Sequence, residues 1–358
     1  MPRRGLLIAG GVALALTIAS TWVVVLYEDY LSSPIDPASR ERVLVRVRPG
    51  SFDEVVESLV ARGLVKDPTF FKVYATLTGK RDHVKAGAFL LARSWTPREL
   101  LDHLIDADPA DRVRLTTPEG QSVWQVADRI DALGLATRAE VLDAAADWGL
   151  AQELGLPARA PSGLALTDRG HVYAFEGYLF PKTYELPAES DARALVKRMG
   201  RQFLTEWAAV KAAHRVGYER VRREHGLDDH ALVTLASLVE EETANGAERA
   251  LIAGVFYNRL RKQWRLQTDP TLVYHPERYG KVPTVVDRKN DRNPWNTYVV
   301  RGLPPGPISS PGAAALAAVL EPARTDMLFF VAKRDGTGTH HFSRTAKEHE
   351  DAVRRYLK

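Results

Sequence analysis

From Gly5 to Tyr27 the chain reads GLLIAGGVALALTIASTWVVVLY, 23 residues without one charged side chain. As a helix rising roughly 1.5 Å per residue this run would span about 34 Å, enough for a hydrocarbon core of ~30 Å. Arg3 and Arg4 precede it, and Glu28 and Asp29 follow. Basic flanks stay on the cytoplasmic side, so the N-terminus is expected inside and the remaining chain outside. Trp22 and Tyr27 suit an interface. A signal peptide cleaved near the small residues of TIAS is the competing reading; the run continues past them, which favours an anchor over residues 1–30.

Residues 31–41 are polar with two prolines and read as a linker. Alternation begins next. Val43, Val45 and Val47 point one way, and Arg42, Leu44, Arg46 and Arg48 the other, so a strand is expected with a turn at Pro49-Gly50. The arginine side reads as a solvated face. Ser51 can cap a helix whose apolar side holds Val55, Val56, Leu59 and Val60 and which Gly63 ends. A second helix is expected over 67–78, a strand at AGAFLLA, and a helix opened by Thr96-Pro97. Residues 42–110 thus form a strand–helix–helix–strand unit with one extra helix. VRVRPGSFDEVVESLVARGLV has an echo about 70 residues later in VRLTTPEGQSVWQVADRIDALGLA, either a reused supersecondary unit or shared strand–turn–helix grammar.

From residue 111 to 358 helical periodicity dominates. Helices are expected at Gln121–Leu133, Arg138–Trp148, Asp191–Lys211, His230–Thr243, Glu248–Gln263, Gly312–Val319 and Thr345–Tyr356. One strand, MLFFVAK, reads as buried at its centre. The class is α+β, helix-rich in the second half.

Composition narrows the chemistry. The 358 residues are 45% hydrophobic and 26% charged, an ordinary globular mix. The net charge of +4 is mild, and no block of like charges calls for nucleic acid. The absence of cysteine excludes disulfides, thiol catalysis and thiolate metal sites. The ten histidines lack ligand spacing, so no metal is expected. No phosphate loop, HExxH or nucleophile elbow is present, and no cofactor is called for.

Three consecutive glutamates stand out in LASLVEEETANGAER. At roughly 100° per residue, Glu242 falls about 20° from Leu235, between Leu238 and Val239, whereas Glu240 and Glu241 fall about 140° and 240° away. Two glutamates are therefore expected in solvent and Glu242 on the apolar stripe. Burial and the negative end of the helix dipole both raise a carboxyl pKa. A glutamate kept protonated near neutral pH can serve as a general acid; the plain alternative is an ion pair with Arg249 or Arg259. Asn258, Gln267, Thr268 and Asp269 follow closely, then Asn296, Thr297 and Tyr298 ahead of a loop stiffened by Pro304, Pro305 and Pro307. Amides, hydroxyls and one aromatic suit sugar hydroxyls, although each alone is ordinary turn chemistry.

These residues carry a resemblance. TPEG at Thr117, FEGYLFPKTY at Phe175, ASLVEEET at Ala236, VFYNRL at Val255, LQTDPT at Leu266, NTYVVRGLPPGPISSPG at Asn296 and HHFSRTAKEH at His340 occur in the order of the MltG-type (YceG-like) endolytic murein transglycosylases of bacteria, which the chain resembles over nearly all its length. The resemblance implies a transmembrane helix, a small LysM-like α/β subdomain at 42–110 that contacts glycan or acts as a spacer, and a helix-rich α+β catalytic domain at 111–358. The family's catalytic glutamate precedes Thr or Ser, which maps onto Glu242 before Thr243. The implied reaction cleaves the bond between N-acetylmuramic acid and N-acetylglucosamine inside glycan strands. The muramic C6 hydroxyl attacks C1 and leaves a 1,6-anhydro end, so strand growth is terminated and water is not consumed. One carboxyl suffices, first as acid and then as base, because the attacking hydroxyl belongs to the substrate.

Glu176, Thr243, Asn258, Gln267, Thr268, Asp269, Asn296, Tyr298, Ser309 and His340 are then candidates to hold the sugars. Glu176 and Asp269 could equally be structural and paired with arginines, and His340 a hydrogen-bonded structural histidine. Lys182 and Ser310 depart from the family's usual Asp and Asn. The implied location is the inner membrane, with the catalytic domain in the periplasm beside peptidoglycan synthases. A water-using hydrolase with Asp269 or Glu176 as second carboxylate, and a non-catalytic glycan-binding scaffold, are the alternatives.

Overall fold

The computed structural model describes residues 19–48, 50–160, 172–243 and 245–357. Most of the apolar run expected as an anchor lies outside them. The chain is helical over 19–32 (α1), with Trp22, Val23, Val24, Val25 and Leu26 exposed. Among the described residues, no helix is long and apolar enough to cross a membrane.

Two compact units make up the chain. The first comprises Met1–Val113 with the short returns Ala132–Leu135 and Glu185–Glu189. Its strand β1 (Arg42–Val47) is followed by α2 (Phe52–Ala61), α3 (Pro68–Leu77), β2 (Gly87–Ala92) and α4 (Pro97–Asp106). β1 and β2 pair antiparallel from Arg42 opposite Ala92 to Val47 opposite Gly87. The caps are those the residues dictate. Ser51 accepts from Asp53 N, Asp67 accepts from Thr69 N and Phe70 N ahead of Pro68, and Thr96 with Glu99 forms a capping box. Leu31 of α1, Val56, Leu59, Phe71, Leu91 and Leu104 share one core.

The alternation along β1 misleads in one respect: its second face is solvated only at the ends, at Arg42 and Arg48, and covered at the centre. Leu44 is as buried as its valine neighbours. The Arg46 guanidinium donates to the carbonyls of Ala188 (2.6 Å), Leu135 (2.9 Å) and Gly134 (3.1 Å). The returning segments 132–135 and 185–189 cover this face, and Leu44 N donates to Leu133 O at 2.7 Å. Val60, placed on the apolar side of α2 by periodicity, is exposed.

The second unit comprises Arg114–Asp131, Ala136–Tyr184 and Ser190–Lys358. β3 (Arg112–Thr116), whose first two residues belong to the first unit, precedes α5 (Val123–Ala132), α6 (Arg138–Ala145) and α7 (Trp148–Leu154), and pairs with β4 (Thr183–Pro187), whose last three residues do. The helix expected over 138–148 is therefore two. Asp147 accepts from Leu150 N and starts a new helix instead of continuing the old one. Next come α8 (Ala192–Ala213), α9 (Arg215–His225), α10 (Asp229–Glu242), α11 (Arg249–Arg261), α12 (Val285–Lys289) and α13 (Ala313–Leu320). The chain closes with β5 (Phe329–Ala332), β6 (His340–Ser343) and α14 (Ala346–Tyr356). α9 escapes sequence reading because only Gly217 and Val221 are buried on it, which leaves no apolar stripe. β4 and β6 are short strands that pairing defines. In β5 only Val331 is buried; Phe329 and Phe330 are half-exposed, contrary to a core strand.

Every residue of α10 from Leu232 to Val239 is buried, and the helix packs on α11 and α13. It is the central element of this unit, and its last turn carries the three glutamates.

Gly134 has φ +76°, and a Cβ there would lie 2.1 Å from Leu44 O. Gly134→Ala is expected to lower unfolding free energy by more than about 2 kcal/mol, read by urea denaturation, from backbone strain plus the clash.

Candidate active site

α10 begins at Asp228, whose side chain accepts from Ala231 N, and runs to Glu242 with little polar surface. Burial on all sides removes the distinction that an amphipathic wheel draws between its glutamates. None of the three is solvated, which corrects the expectation for Glu240 and Glu241. They differ in their partners. Glu240 accepts from Arg249 at 2.9 Å and from Gly312 N at 2.9 Å. Glu241 accepts from Tyr279 Oη at 3.2 Å and is pushed up to about 7, chiefly by burial, with the Ser309 and Tyr279 hydroxyls opposing and Glu240 adding to the rise.

Glu242 takes neither arginine. Arg249 is committed to Glu240. Arg259 donates to the carbonyls of Leu328 and Leu266, each at 2.6 Å. The partner of Glu242 is a hydroxyl: Thr268 Oγ1 donates to Glu242 Oε1. Loss of hydration is the main reason its pKa rises to about 7; the Thr268 bond lowers it, the Asp269 charge raises it, and Arg259 pulls it down from a distance.

Thr268 is aimed by the chain around it. Gln267 has the left-handed φ of +52°, rare for a side-chain-bearing residue. Its N–H donates to Thr297 O (3.1 Å), and Thr268 N donates to Thr297 Oγ1 (3.0 Å). Thr271 Oγ1 completes a buried trio of threonines, 2.9 Å from Thr297 Oγ1.

Glu242 lines a cleft of about 530 Å³ with Gln267, Asp269, Tyr298 and Leu266 on its side. β5 supplies Phe329 to Ala332, α14 supplies His349 and Val353, and Leu357 follows it. Tyr298 Oη donates to Asp269 Oδ1 at 2.6 Å, and Arg288 pairs with Asp269 at 3.3 Å while lying 5.2 Å over the Tyr298 ring. His340 also lines the cleft, and Glu248 accepts from its Nδ1 (2.8 Å) and its backbone N–H (2.9 Å). The cleft thus combines a carboxyl that is half-protonated near neutrality, an aromatic and aliphatic wall, and a few fixed polar groups, a lining suited to a ligand with apolar faces and polar edges.

The remaining candidates lie elsewhere. Glu176 is buried and accepts from Val123 N, at the start of α5, and from Tyr274 Oη (2.8 Å). It has no arginine partner among the described residues, and burial raises it to about 7. Asn258 Nδ2 donates to Thr325 O and Met327 O, and Asn296 Nδ2 to the carbonyls of Asp287 and Asn290. Thr243 caps the turn after α10 through Asn245 N. Ser309 is fully buried beside Glu241. Lys182 stands 3.4 Å from Glu206, and the backbone of Ser310 bridges Gly120 and Gln121; neither lines the cleft. Sequence reasoning missed Arg288, Arg334, β5 and α14 as cleft walls. They come from distant stretches, and a strand of two phenylalanines reads as core until its neighbours are known. Among the described residues no cluster is placed to hold a metal ion.

Comparison with known proteins gives a consistent picture. The YceG-like family model matches residues 45–355. The endolytic murein transglycosylase of Bacillus subtilis (strain 168) is 28% identical over 338 residues, covering 93% of this chain and 89% of that protein. The endolytic murein transglycosylase of Streptococcus pneumoniae (strain ATCC BAA-255 / R6) is 31% identical over 350 residues; the match spans 92% of this chain and 62% of the streptococcal protein. A 2.6 Å crystal structure of a yceG-like protein from Listeria monocytogenes superposes with a TM-score of 0.58 at 29% identity, over 87% of this chain and 99% of that one.

Glu176 holds a proton in the folded state up to about 7 but releases it near 4.3 when unfolded. Its contribution to stability is full below the unfolded value and is lost as pH rises through the folded one. The melting temperature of the wild type is expected to fall from about pH 5 to pH 8 more steeply than that of Glu176→Gln, by a few degrees. Parallel profiles would refute this.

Proposed function

The chain belongs to the YceG-like family, and on that premise we propose that it is an endolytic lytic transglycosylase of the bacterial cell wall. It cleaves bonds between N-acetylmuramic acid and N-acetylglucosamine within peptidoglycan strands and ends the growth of nascent strands. One observation carries the reading: Glu242 faces a sugar-sized cleft with a pKa of about 7 and a hydroxyl, not a guanidinium, as its bonded partner. The names of the Bacillus and Streptococcus relatives supply the reaction class.

Glu242 donates its proton to the departing glycosidic oxygen. As a carboxylate it then takes the proton of the muramic C6 hydroxyl, which closes on C1 and gives the 1,6-anhydro end. Thr268 orients the carboxyl and tempers its pKa. Asp269 lies in the same cleft, bonded by Tyr298 and paired with Arg288, and is offered with them for sugar contact. Gln267, Tyr298 and His340 are the cleft residues offered for sugar contact. Glu176, Asn258, Asn296, Thr243 and Ser309 act by holding the walls.

Asp269 also supports a second reading, hydrolysis with that carboxylate activating water. Cleavage in heavy-oxygen water separates the two: an unlabelled anhydro product is expected, and label in the muramic product would establish hydrolysis.

The exposed apolar residues Trp22–Leu26 of α1, continuing the uncharged run, support a membrane anchor with the rest of the chain on the periplasmic side. The β1–α2–α3–β2 unit is offered as LysM-like, as a glycan contact or a spacer, and peptidoglycan synthases as neighbours.

Glu242→Gln is expected to reduce strand cleavage at least about 10²–10⁴-fold with an unchanged circular-dichroism spectrum; full activity would end the proposal. Thr268→Val removes a donor to the carboxylate, so the Glu242 pKa rises. The alkaline limb of the pH–rate profile is expected to move to higher pH, and a downward move would contradict the assigned role.

A further inference from the structure

Three guanidiniums line the cleft: Arg259, Arg288 and Arg334. Two are spoken for. Arg259 is spent on the carbonyls of Leu328 and Leu266, and Arg288 is neutralised by Asp269. Arg334 is exposed and has no hydrogen bond or ion pair among the described residues. It follows β5 in the turn to β6, which Lys333 N closes by donating to Thr339 O at 2.8 Å. Gly336 and Gly338, with φ of +80° and +64°, shape that turn. The obvious counter-ion, its neighbour Asp335, is turned away: it accepts from the backbone N–H and the hydroxyl of Thr337. A closed hairpin therefore presents one uncompensated cation to the same cleft as Glu242.

That cation does nothing for the bond-breaking step. Positive charge develops at C1 as the glycosidic bond breaks, and a guanidinium cannot stabilise it; the charges that bear on Glu242 are those of Asp269, Arg259 and Glu241. A cation that the bond-breaking step does not use, and that stands without a partner on the wall, finds its complement on the substrate. Resting on the transglycosylase reading, we propose that Arg334 forms a carboxylate subsite that recognises the acidic substituent of the muramic sugar. Neutral N-acetylglucosamine units carry no such group, so the subsite sets which sugar lies on which side of the acid. The carboxylate is either the free lactyl group of a sugar without its peptide, or one belonging to an attached stem peptide. The planar fork of arginine suits both.

The experiment compares the full chain, in detergent, with Arg334→Gln and Arg334→Lys. Three substrates are used: peptide-free strands, the same strands with the lactyl carboxylate converted to a methylamide, and strands bearing stem peptides. KM is expected to rise about tenfold for Arg334→Gln on carboxylate-bearing strands, less for Arg334→Lys, and not at all on the methylamide strands, the loss appearing in KM and not in kcat. A rise confined to peptide-free strands assigns the lactyl group; one confined to peptide-bearing strands assigns the peptide. Equal KM for wild type and Arg334→Gln on both charged substrates, or an equal rise on the neutral one, overturns the subsite while leaving the transglycosylase reading intact. Failure of the wild type to cut any strand overturns both.

Discussion

The withdrawal of one carboxyl from water, without a cation to replace it, is the constraint on which the site depends. α10 is enclosed from Leu232 to Val239, so its C-terminal end arrives where hydration is scarce and backbone carbonyls already carry negative potential. Three carboxyls share that turn. The fold gives each a different answer: an arginine for Glu240, a tyrosine for Glu241, a threonine for Glu242. Only the last opens on the cleft.

The surroundings of Glu242 follow from keeping that answer fixed. Thr268 reaches the carboxyl because Gln267 is held in a left-handed conformation and Thr297 takes two backbone N–H groups beside it. Arg259, close enough to bias the acid, is saturated by carbonyls and so does not capture it. The buried Ser309 backs the neighbouring Glu241. Asn258 and Asn296, which look like sugar ligands in the sequence, instead satisfy buried carbonyls of the loops that form the walls. A cleft of this kind is held by polar groups that do not themselves line it.

The same logic governs the first unit on a structural scale. β1 would present Arg46 to water, as it does Arg42 and Arg48, if its second face were open at the centre. The returning segments at 132–135 and 185–189 bring carbonyls to Arg46, and the guanidinium becomes the cap of those segments. Gly134 is required there because the chain passes too close to Leu44 for any side chain.

Most elements are legible in the sequence because their signals are local. Caps at Ser51, Asp67 and Thr96, the alternation of β1, and the apolar spacing of α5 and α8 are each written within a few residues. Glu242 was legible as well, since a carboxylate among leucines is anomalous wherever the helix packs. The fate of its neighbours was not: a helical wheel assumes one wet face, and α10 has none. Nor could the chain order reveal that β5, α14 and the turn holding Arg334 close over the glutamate from some 90 residues away. Periodicity and capping act between near neighbours and are fixed by the order of side chains. Desolvation, ion-pair choice and the walls of a cleft depend on which distant groups exclude water together, and only the folded chain decides that.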